Sequence, residues 1–321
     1  MLRKESYHLK KDNKFRSIYI NAPKENWVVD RFRKEWQTYN IHSSNFTFLP
    51  KVKIIWIIAP WTWKKLSTRD LKRKTVICTI HHIDEDKFDS NSRNDFYERD
   101  KFVTAYHAIS ESTKNQLEKL TKKKIYTMPF WVNQNIFYKI DDKKSLRKKY
   151  SIPKDAFIIG SFQRDTEGSD LTSPKLSKGP DRFIKIVEDM YSSNNKIEVL
   201  LTGTRRQYLL KELDKRGITT HYFKMVKFEA LNELYNILDL YLVTSRYEGG
   251  PQAILECGIT KTPIISTNVG VASQILDNNS IFVDEDYSSA KSNIDYAYKK
   301  VSEFTIPRGF EKFNKMFSDY L

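Results

Sequence analysis

Cysteine is scarce in this sequence of 321 residues, and long hydrophobic runs are absent. Cys78 and Cys257 alone cannot build a disulfide framework, so a reducing compartment is the expected environment. The basic start, MLRKESYHLKKDNKF, is not followed by an apolar core of about 7–15 residues, so we expect no signal peptide and a cytoplasmic protein. The longest apolar run, at 54–61, is typical of a buried strand and too short for a membrane span.

Several chemical signatures are missing as well. No Gly-x-Gly-x-x-Gly follows a predicted strand, which disfavours a nicotinamide-dependent enzyme, and no Gly-x-Ser-x-Gly occurs to support a serine triad. The polar cluster HHIDED at 81–86 has no second His or Cys group at a fitting spacing, so we expect no metal. With 13% aromatic and 30% charged residues, the chain is too hydrophobic to be disordered.

Positive charge is concentrated near the N-terminus. Residues 1–77 contain 18 Lys and Arg against 6 Asp and Glu, whereas residues 78–321 contain 37 against 34. A basic N-terminal part suggests an anionic partner, for which nucleic acid, anionic lipid and phosphorylated saccharide all qualify. A lysine-rich solvated surface without a partner explains the same pattern.

Short apolar runs alternate with amphipathic segments, which favours an α/β fold with parallel sheets. Strands are predicted at 17–21, 52–59, 76–80, 102–108, 125–128, 157–160, 197–202, 240–244 and 263–267. Helices are predicted at 26–39, 110–120, 181–191, 206–216, 230–237, 252–257 and 310–320. In the first helix the pattern leaves Arg31, Lys34 and Glu35 on the outer side. The polar stretch KIDDKKSLRKKYS predicts a domain boundary near residue 150, with a ligand cleft between two similar domains.

The most informative stretch is TSRYEGGPQAILE at 244–256. A predicted strand ends in a Gly-Gly-Pro turn, and Pro251 suits the first turn of the following helix. Gly249 and Gly250 let a ligand approach the backbone, and the helix start is an anion site suited to a diphosphate. Glu248 and Glu256 flank this start and are suited to accept hydrogen bonds from sugar hydroxyls. The arrangement therefore predicts a nucleotide-sugar site.

Here the sequence resembles a known family. Glu-x7-Glu after a Ser-x-x-Glu-Gly turn, followed by TPIISTNVG, is similar to the signature of retaining family 4 glycosyltransferases, also called group 1, which have the GT-B fold. The segments IGSFQR at 159–164, PKLSKGPD at 174–181 and LLTG at 200–203 resemble further parts of that family's nucleotide domain. The resemblance implies two Rossmann-like domains, with acceptor-side residues 1–150, donor-binding residues 151–305, and a last helix in 306–321 that crosses back.

The resemblance also implies roles for individual residues. Glu256 would hold the ribose hydroxyls, and Glu248 the hydroxyls of the transferred sugar, while Gly249 and Gly250 contact the diphosphate. Arg164 and Lys178 would neutralise the charge of the leaving diphosphate. The further residues expected to contact the donor are Gly160, Thr202, Gly203 and Val226. A histidine at the end of a first-domain strand, either His81 or His82, would reach the donor sugar.

The acceptor side matches the family less well. The first strand is not followed by a glycine-rich loop, although Asn26 and Trp27 occupy the corresponding strand end. Trp61 and Trp63 lie among cations in PWTWKKL, a mixture that favours membrane interfaces and anionic lipid. We therefore expect peripheral membrane attachment, an acceptor that carries phosphate, or stacking of a polysaccharide on the two tryptophans.

Together these features predict a retaining hexosyltransferase for glycan, lipopolysaccharide or glycolipid biosynthesis. It would move a sugar from a UDP- or GDP-sugar to a saccharide or lipid-linked acceptor, with no cofactor, no metal and no nucleic acid. A GT-B epimerase or phosphorylase would share the donor site but turn over without a sugar acceptor. A basic nucleic-acid-binding protein is the alternative from another class, and its affinity should fall steeply with salt.

Overall fold

The computed structural model describes residues 18–25, 28–40, 51–284 and 286–321. A five-stranded parallel sheet has the order β1-β2-β3-β4-β5. Its strands are β1 (Ile18–Asn21), β2 (Ile54–Ile57), β3 (Thr75–Ile80), β4 (Ala105–Ala108) and β5 (Lys124–Thr127). The helices that accompany it in the chain are α1 (Val28–Tyr39), α2 (Thr68–Arg73), α3 (Ser90–Asp100) and α4 (Glu111–Glu118).

A second parallel sheet of six strands has the order β11-β10-β9-β6-β7-β8. Its strands are β6 (Phe157–Ser161), β7 (Ile197–Thr202), β8 (Thr220–Phe223), β9 (Leu240–Val243), β10 (Ile264–Thr267) and β11 (Ile281–Phe282). The remaining helices are α5 (Lys143–Lys149), α6 (Pro180–Ser193), α7 (Gln207–Asp214), α8 (Phe228–Ile237), α9 (Gln252–Thr260), α10 (Ala272–Ile275), α11 (Ile294–Val301) and α12 (Glu311–Ser318). The predicted α/β class with two parallel sheets is confirmed.

The strands form where apolar residues run without interruption. Every residue of β2 (IIWI) and β9 (LYLV) is buried, as expected for parallel strands covered by helices on both faces. In the second sheet β6 pairs with β7 on one side and with β9 on the other, so the strand order reverses at β6. Such a reversal leaves a crevice beyond the carboxyl ends of β6 and β9, where ligands of open α/β sheets bind.

Helix α12 follows the second sheet in the chain but packs into the core of the first. The rings of Phe313 and Phe317 lie 5.5 Å and 5.2 Å from that of Trp56, which in turn lies 5.5 Å from Trp36. All four side chains are fully buried. Because loss of such a ring costs about 3–5 kcal/mol, this contact ties the end of the described chain to the first sheet.

Several elements differ from the sequence-based expectation. The charged stretch in which we expected the domain boundary contains α5, where Arg147 is buried and donates to the carbonyls of Lys154, Ala156 and Ile237. The pattern also missed α2, α3, β8 and α11. Helix α3 buries only Phe96 and Arg99, so its sequence lacks a recognisable apolar face. Among the helices of the described ranges, none combines the length and apolar character needed to span a membrane.

Candidate functional site

Two loops meet at the crevice beyond β6 and β9. The backbone N–H groups of Arg246 and Tyr247, which follow β9, both donate to the carbonyl of Ser177 at 2.9 Å and 3.1 Å. The hydroxyl of Thr244 donates to the carbonyl of Gly179 at 2.7 Å. A Cβ at Gly179 would lie 1.9 Å from the carbonyl oxygen of Thr244, and its φ of 62° also favours glycine. The two loops are therefore held together as one rigid support.

Lys178 and Glu248 form an ion pair on this support. Lys178 ends a short 3-10 turn in the first loop, and Glu248 precedes the start of α9 in the second. Their side chains are only 15% and 13% exposed, so each charge depends on the other. The sequence analysis predicted both residues as parts of the donor site, and in the structure they are in direct contact.

Further positive charge surrounds this pair. Arg164 is exposed and lines the same depression as Lys178. Desolvation lowers the pKa of Lys175, and the positive charges of Arg164, Lys178 and Lys87 lower it further. Glu167 offsets part of this charge, with its carboxylate 2.5 Å from the ammonium of Lys87 and 4.0 Å from that of Lys175. Positive charge thus exceeds negative charge here, which favours an anionic ligand.

The turn before α9 lies directly against the first domain. A Cβ at Gly249 would lie 1.3 Å from the carbonyl oxygen of His81, and one at Gly250 would lie 3.2 Å from Ile109. Pro251 is the N-cap residue of α9, whose first N–H groups have no acceptor within the helix. The turn therefore presents the partial positive charge of a helix N-terminus to the cleft. The space around Gly249 has no room for a side chain.

The structure gives the two nominated histidines different surroundings. The Nε2 atom of His81 lies 2.9 Å from the carbonyl of Ile58, and its ring is 5.9 Å from that of Phe130. Desolvation lowers the pKa of His81 to about 4. His82 as a residue is exposed to solvent. The protein around its ring still desolvates it enough to lower its pKa, against the opposing effect of the Glu248 carboxylate. His82 is therefore the histidine whose side chain is available to a ligand beside Glu248.

Both carboxylate oxygens of Glu256 accept a hydrogen bond. Its Oε1 accepts a hydrogen bond from Nη2 of Arg31 at 2.8 Å, and its Oε2 accepts one from the hydroxyl of Tyr235 at 2.8 Å. The residue is only 5% exposed. Arg31 comes from α1 of the first domain, so the carboxylate nominated for the ribose is at the centre of an interdomain contact.

The expectation that Arg31 and Glu35 face outward is wrong. Each is 7% exposed, and Glu35 accepts hydrogen bonds from Nε1 of Trp131 at 2.8 Å and Nδ2 of Asn133 at 3.1 Å. Burial raises the pKa of Glu35, although the Arg31 guanidinium opposes that shift. No sequence signal distinguishes these residues from ordinary surface charges, because their partners belong to distant segments; Lys34, on the same helix, is indeed exposed.

The other residues predicted to contact the donor lie in strands of the second sheet or in the loops that follow those strands. Gly160 is inside β6, where a Cβ would lie 2.3 Å from Leu238, so its missing side chain serves packing. Thr202 ends β7 and donates through its hydroxyl to the carbonyl of Phe223 at 2.6 Å. Gly203 has a φ of 93°. Val226 lies half-buried in the loop before α8.

A buried ion pair that sequence reasoning missed supports the first loop. Asp165, next to Arg164, accepts a hydrogen bond from the N–H of Tyr208 at 3.2 Å. Its carboxylate lies 3.4 Å from Nε of Arg206, which is fully buried. Burial raises the pKa of Asp165 to about 6, against the effect of the Arg206 guanidinium. This contact fixes the loop that carries Arg164.

On the acceptor side, the structure separates the two nominated tryptophans. Trp61 is 46% exposed. Trp63 is buried, and its Nε1 lies 3.2 Å from a carboxylate oxygen of Asp95. The prediction that both present their faces to an acceptor or a membrane is therefore wrong for Trp63. Asn26 and Trp27 lie outside the described residues. Within the described ranges, no three His, Cys, Asp or Glu side chains are grouped as a metal site would require.

Comparison with known families and proteins adds independent evidence. Residues 142–303 match the family described as "Glycosyl transferases group 1". A probable sucrose-phosphate synthase from Thermosipho melanesiensis is 28% identical over 209 residues. The matched region covers 60% of this chain and 44% of that protein, so the chain spans less than half the length of this curated relative.

Solved structures resemble nearly the whole chain. HepE from Anabaena, in complex with UDP and glucose, is 11% identical with a TM-score of 0.72, covering 94% of this chain and 99% of that one. A sucrose-phosphate synthase from Thermosynechococcus elongatus is 13% identical with a TM-score of 0.68, covering 93% of this chain and 80% of that one. At such identities the likeness shows the fold alone, and that fold is the predicted GT-B arrangement of two Rossmann-like domains.

Proposed function

This chain belongs to the group 1 glycosyl transferases, and from that premise we propose that it transfers a sugar from a nucleoside diphosphate to an acceptor hydroxyl. The observation that carries the proposal is the Lys178–Glu248 ion pair at the start of α9. It combines a cation for a phosphate with a carboxylate for sugar hydroxyls, beside a helix N-terminus. We assign donor binding to residues 151–305 and the acceptor side to residues 1–150 with 306–321.

The donor would lie along the crevice of the second sheet. Arg164 and Lys178 would bind the diphosphate together with the backbone N–H groups of Gly249 and Gly250. Once the diphosphate pairs with Lys178 in place of Glu248, the Glu248 carboxylate would accept hydrogen bonds from the transferred sugar. Glu256 would bind the ribose, and the base would rest on backbone near Val226. The UDP bound to HepE supports a UDP-sugar as the first donor to test, with a GDP-sugar as the second.

We propose that the reaction retains the anomeric configuration. The bond from the acceptor oxygen to the anomeric carbon forms on the face that the diphosphate leaves, as the bond from that carbon to the diphosphate oxygen breaks. The proton of the acceptor hydroxyl passes to a phosphate oxygen of the leaving group. Negative charge grows on the diphosphate during this step, so the preorganised cations Arg164 and Lys178 lower the barrier by a few kcal/mol. His82 would contact the donor sugar from the first domain.

The acceptor would be a saccharide or a lipid-linked saccharide, as in polysaccharide or glycolipid synthesis. Trp61 supports peripheral attachment, because this exposed ring belongs to a short helix that ends in Lys64 and Lys65. Sedimentation with vesicles of anionic lipid at low salt tests this part. We expect binding that Trp61→Ala weakens, whereas recovery of the wild-type protein in the supernatant would contradict membrane attachment.

The donor assignment is tested by a thermal-shift panel of UDP, GDP, ADP and their sugars, repeated on Glu256→Gln. A ligand at about 100 times its dissociation constant stabilises the folded state by about 2.7 kcal/mol. We expect a shift with one base that the variant loses. A folded wild-type protein that responds to none of them would contradict the proposal, and salt-dependent binding of RNA or DNA would then favour the nucleic-acid alternative.

Turnover separates the glycosyltransferase from related activities. With the donor that binds, a glycosyltransferase releases nucleoside diphosphate in proportion to a sugar acceptor. An epimerase would isomerise the donor with no acceptor present, and a phosphorylase would need inorganic phosphate. Anomeric analysis of the product by NMR tests retention, and an inverted product would contradict the proposed same-face attack.

A further inference from the structure

The guanidinium of Arg31 lies between two carboxylates that belong to different domains. Its Nη2 donates to Oε1 of Glu256 at 2.8 Å, across a sequence separation of 225 residues. Its Nε faces Oε1 of Glu35 at 3.8 Å, one turn along the same helix. This Nε is buried and has no hydrogen-bond partner among the described residues. Arg31 therefore makes a hydrogen bond to the second domain but only a longer ion pair with Glu35 of its own domain.

Aromatic rings surround the guanidinium and allow it a small movement. It lies 5.1 Å from the ring centre of Phe137, 5.3 Å from that of Phe228 and 5.7 Å from that of Phe32. A shift of about 1 Å toward Glu35 would bring Nε to hydrogen-bonding distance. The cation would remain among the same rings, so its contact with them is kept in both positions. Phe228 is 43% exposed, which leaves this side of the cluster open to solvent.

The burial of Glu256 decides whether Arg31 and a ribose can bind its carboxylate together or must compete for it. A carboxylate has room for about four hydrogen bonds, so in principle ribose hydroxyls could join Arg31 and Tyr235. The Glu256 side chain, however, is only 6% exposed while Arg31 covers it. Because Oε1 is bonded to Arg31 and Oε2 to Tyr235 in this buried position, a ribose needs one of these donors to give way. Of the two, Arg31 has a second carboxylate within reach, that of Glu35. We infer that Arg31 competes with the donor ribose for Glu256 and shifts to Glu35 when the ribose binds, an inference that rests on the donor site proposed above.

This exchange would couple donor binding to the contact between the domains. Without donor, the Arg31–Glu256 bond joins α1 to α9. With donor, the Arg31–Glu35 pair lies wholly within the first domain and the bridge is released. Coupling of this kind is reciprocal, so a change that weakens the bridge while leaving Glu256 intact strengthens donor binding, and one that strengthens the bridge weakens donor binding.

Three variants test the competition, with isothermal titration of UDP and GDP as the measurement. Arg31→Met removes the competitor. Arg31→Lys keeps a positive charge beside Glu35, but its single ammonium cannot span both carboxylates as the forked guanidinium does. Both variants are expected to bind the nucleotide about fivefold more tightly or better. Glu35→Gln removes the alternative partner of Arg31, so it is expected to weaken binding.

The 2′,3′-dideoxy form of the bound nucleotide is the matched ligand control. It lacks the hydroxyls that compete with Arg31, so wild type and Arg31→Lys should bind it with equal affinity. Circular dichroism establishes whether each variant is folded. If Arg31→Met does not fold, Arg31→Lys alone still tests the competition. The opposite result, weaker binding by Arg31→Lys and by Glu35→Gln alike, would mean that Arg31 only positions Glu256 and would overturn the inference.

The outcome also separates this inference from the proposed function. If the wild-type protein binds UDP or GDP, Glu256→Gln abolishes that binding, and Arg31→Lys leaves it unchanged, the donor site stands and the competition is refuted. If the folded wild-type protein binds neither nucleotide, the donor site and the competition both fall.

Discussion

Lys178 and Glu248 form an ion pair that joins the loop after β6 to the turn before α9. Lys178 ends a short 3-10 turn and Glu248 lies in a loop, and the two are brought together by the carboxyl ends of neighbouring strands. A diphosphate that takes Lys178 would release the carboxylate of Glu248 for the sugar. Two residues of the proposed donor site are therefore already in contact without ligand, and each neutralises the charge of the other until a ligand binds.

Lys178→Ala tests the electrostatic role of this cation. We expect kcat to fall by about 10²–10³-fold, because the variant lacks a preorganised positive charge where the diphosphate becomes more negative. The measurement is release of nucleoside diphosphate from the donor that the wild-type protein turns over. Lys211→Ala, which removes an exposed lysine of α7, is the matched control and should leave kcat unchanged. Equal kcat values for both variants would refute the assignment.

Tyr235→Phe tests how Glu256 is held. The variant leaves Oε2 of a buried carboxylate without its 2.8 Å donor, so we expect the free energy of unfolding to fall by about 2 kcal/mol. Urea unfolding measures the change. In a double-mutant cycle with Glu256→Ala, the two losses should be strongly non-additive, since both variants remove the same bond. Additive losses would mean that the tyrosine stabilises the fold by packing alone.

His82→Ala and His81→Ala should separate catalysis from folding. The solvent exposure of His82 beside Glu248 predicts a lower kcat with little loss of stability. His81→Ala removes a 2.9 Å bond to the carbonyl of Ile58, so it should chiefly lower the melting temperature. Steady-state kinetics and thermal unfolding of both variants measure this. A large loss of kcat in folded His81→Ala, with His82→Ala active, would reverse the assignment.

The sequence alone was sufficient for the fold class and for much of the second sheet. Uninterrupted apolar runs such as the one in β9 give a strong strand signal, and Gly249 and Gly250 mark the turn that follows. The family resemblance added separate roles for Glu248 at the sugar and for Arg164 and Lys178 at the diphosphate. These features are local, and a single sequence carries them in consecutive residues.

What could not be predicted depends on contacts between distant segments. Arg31 and Glu35 have the spacing of ordinary surface charges. Their burial involves distant segments: Arg31 bonds to Glu256 of α9, and Glu35 accepts hydrogen bonds from Trp131 and Asn133. Trp61 and Trp63 have the same sequence context, but they lie in a 3-10 helix of three residues per turn, so positions two apart point in different directions. One ring is therefore exposed and the other packs beside Asp95.

Gly249→Ala tests the close contact between the domains. The added Cβ would lie 1.3 Å from the backbone oxygen of His81, which cannot yield as a flexible side chain can. We expect the variant to separate the two domains at this point and to lose most of its turnover. Gly217→Ala is the control: nothing lies within 4 Å of the new Cβ, although the φ of 65° at this position by itself disfavours alanine. Nucleoside diphosphate release and small-angle scattering measure the two effects, and wild-type turnover by Gly249→Ala would contradict them.

His107 makes the stability of the first domain depend on pH. Its Nε2 lies 2.8 Å from the carbonyl of Met128, and its Nδ1 lies 3.0 Å from the hydroxyl of Thr79, which accepts a bond from Trp56. Burial lowers the pKa of His107 to about 3, whereas an unfolded chain titrates near its ordinary value of about 6.5. Below pH 6.5 the unfolded state therefore binds a proton that the folded state does not. Acidification must favour unfolding.

The size of this effect follows from the two pKa values. Because of His107, the free energy of unfolding should be about 3 kcal/mol lower at pH 4 than above pH 6.5. His81 acts in the same direction, since its pKa is also lowered, to about 4. Asp165, whose pKa is raised to about 6, acts in the opposite direction, because its folded form binds the proton first.

Comparison with His107→Gln isolates the one group, since the contributions of His81 and Asp165 are common to both proteins. Glutamine can donate to the carbonyl of Met128 but does not titrate, so its unfolding free energy should fall less between pH 7 and pH 4 than that of the wild type. Urea unfolding at intervals of half a pH unit gives both curves. Their difference should close progressively below pH 6.5, whereas parallel curves would show that His107 is protonated in the folded state as readily as in the unfolded one.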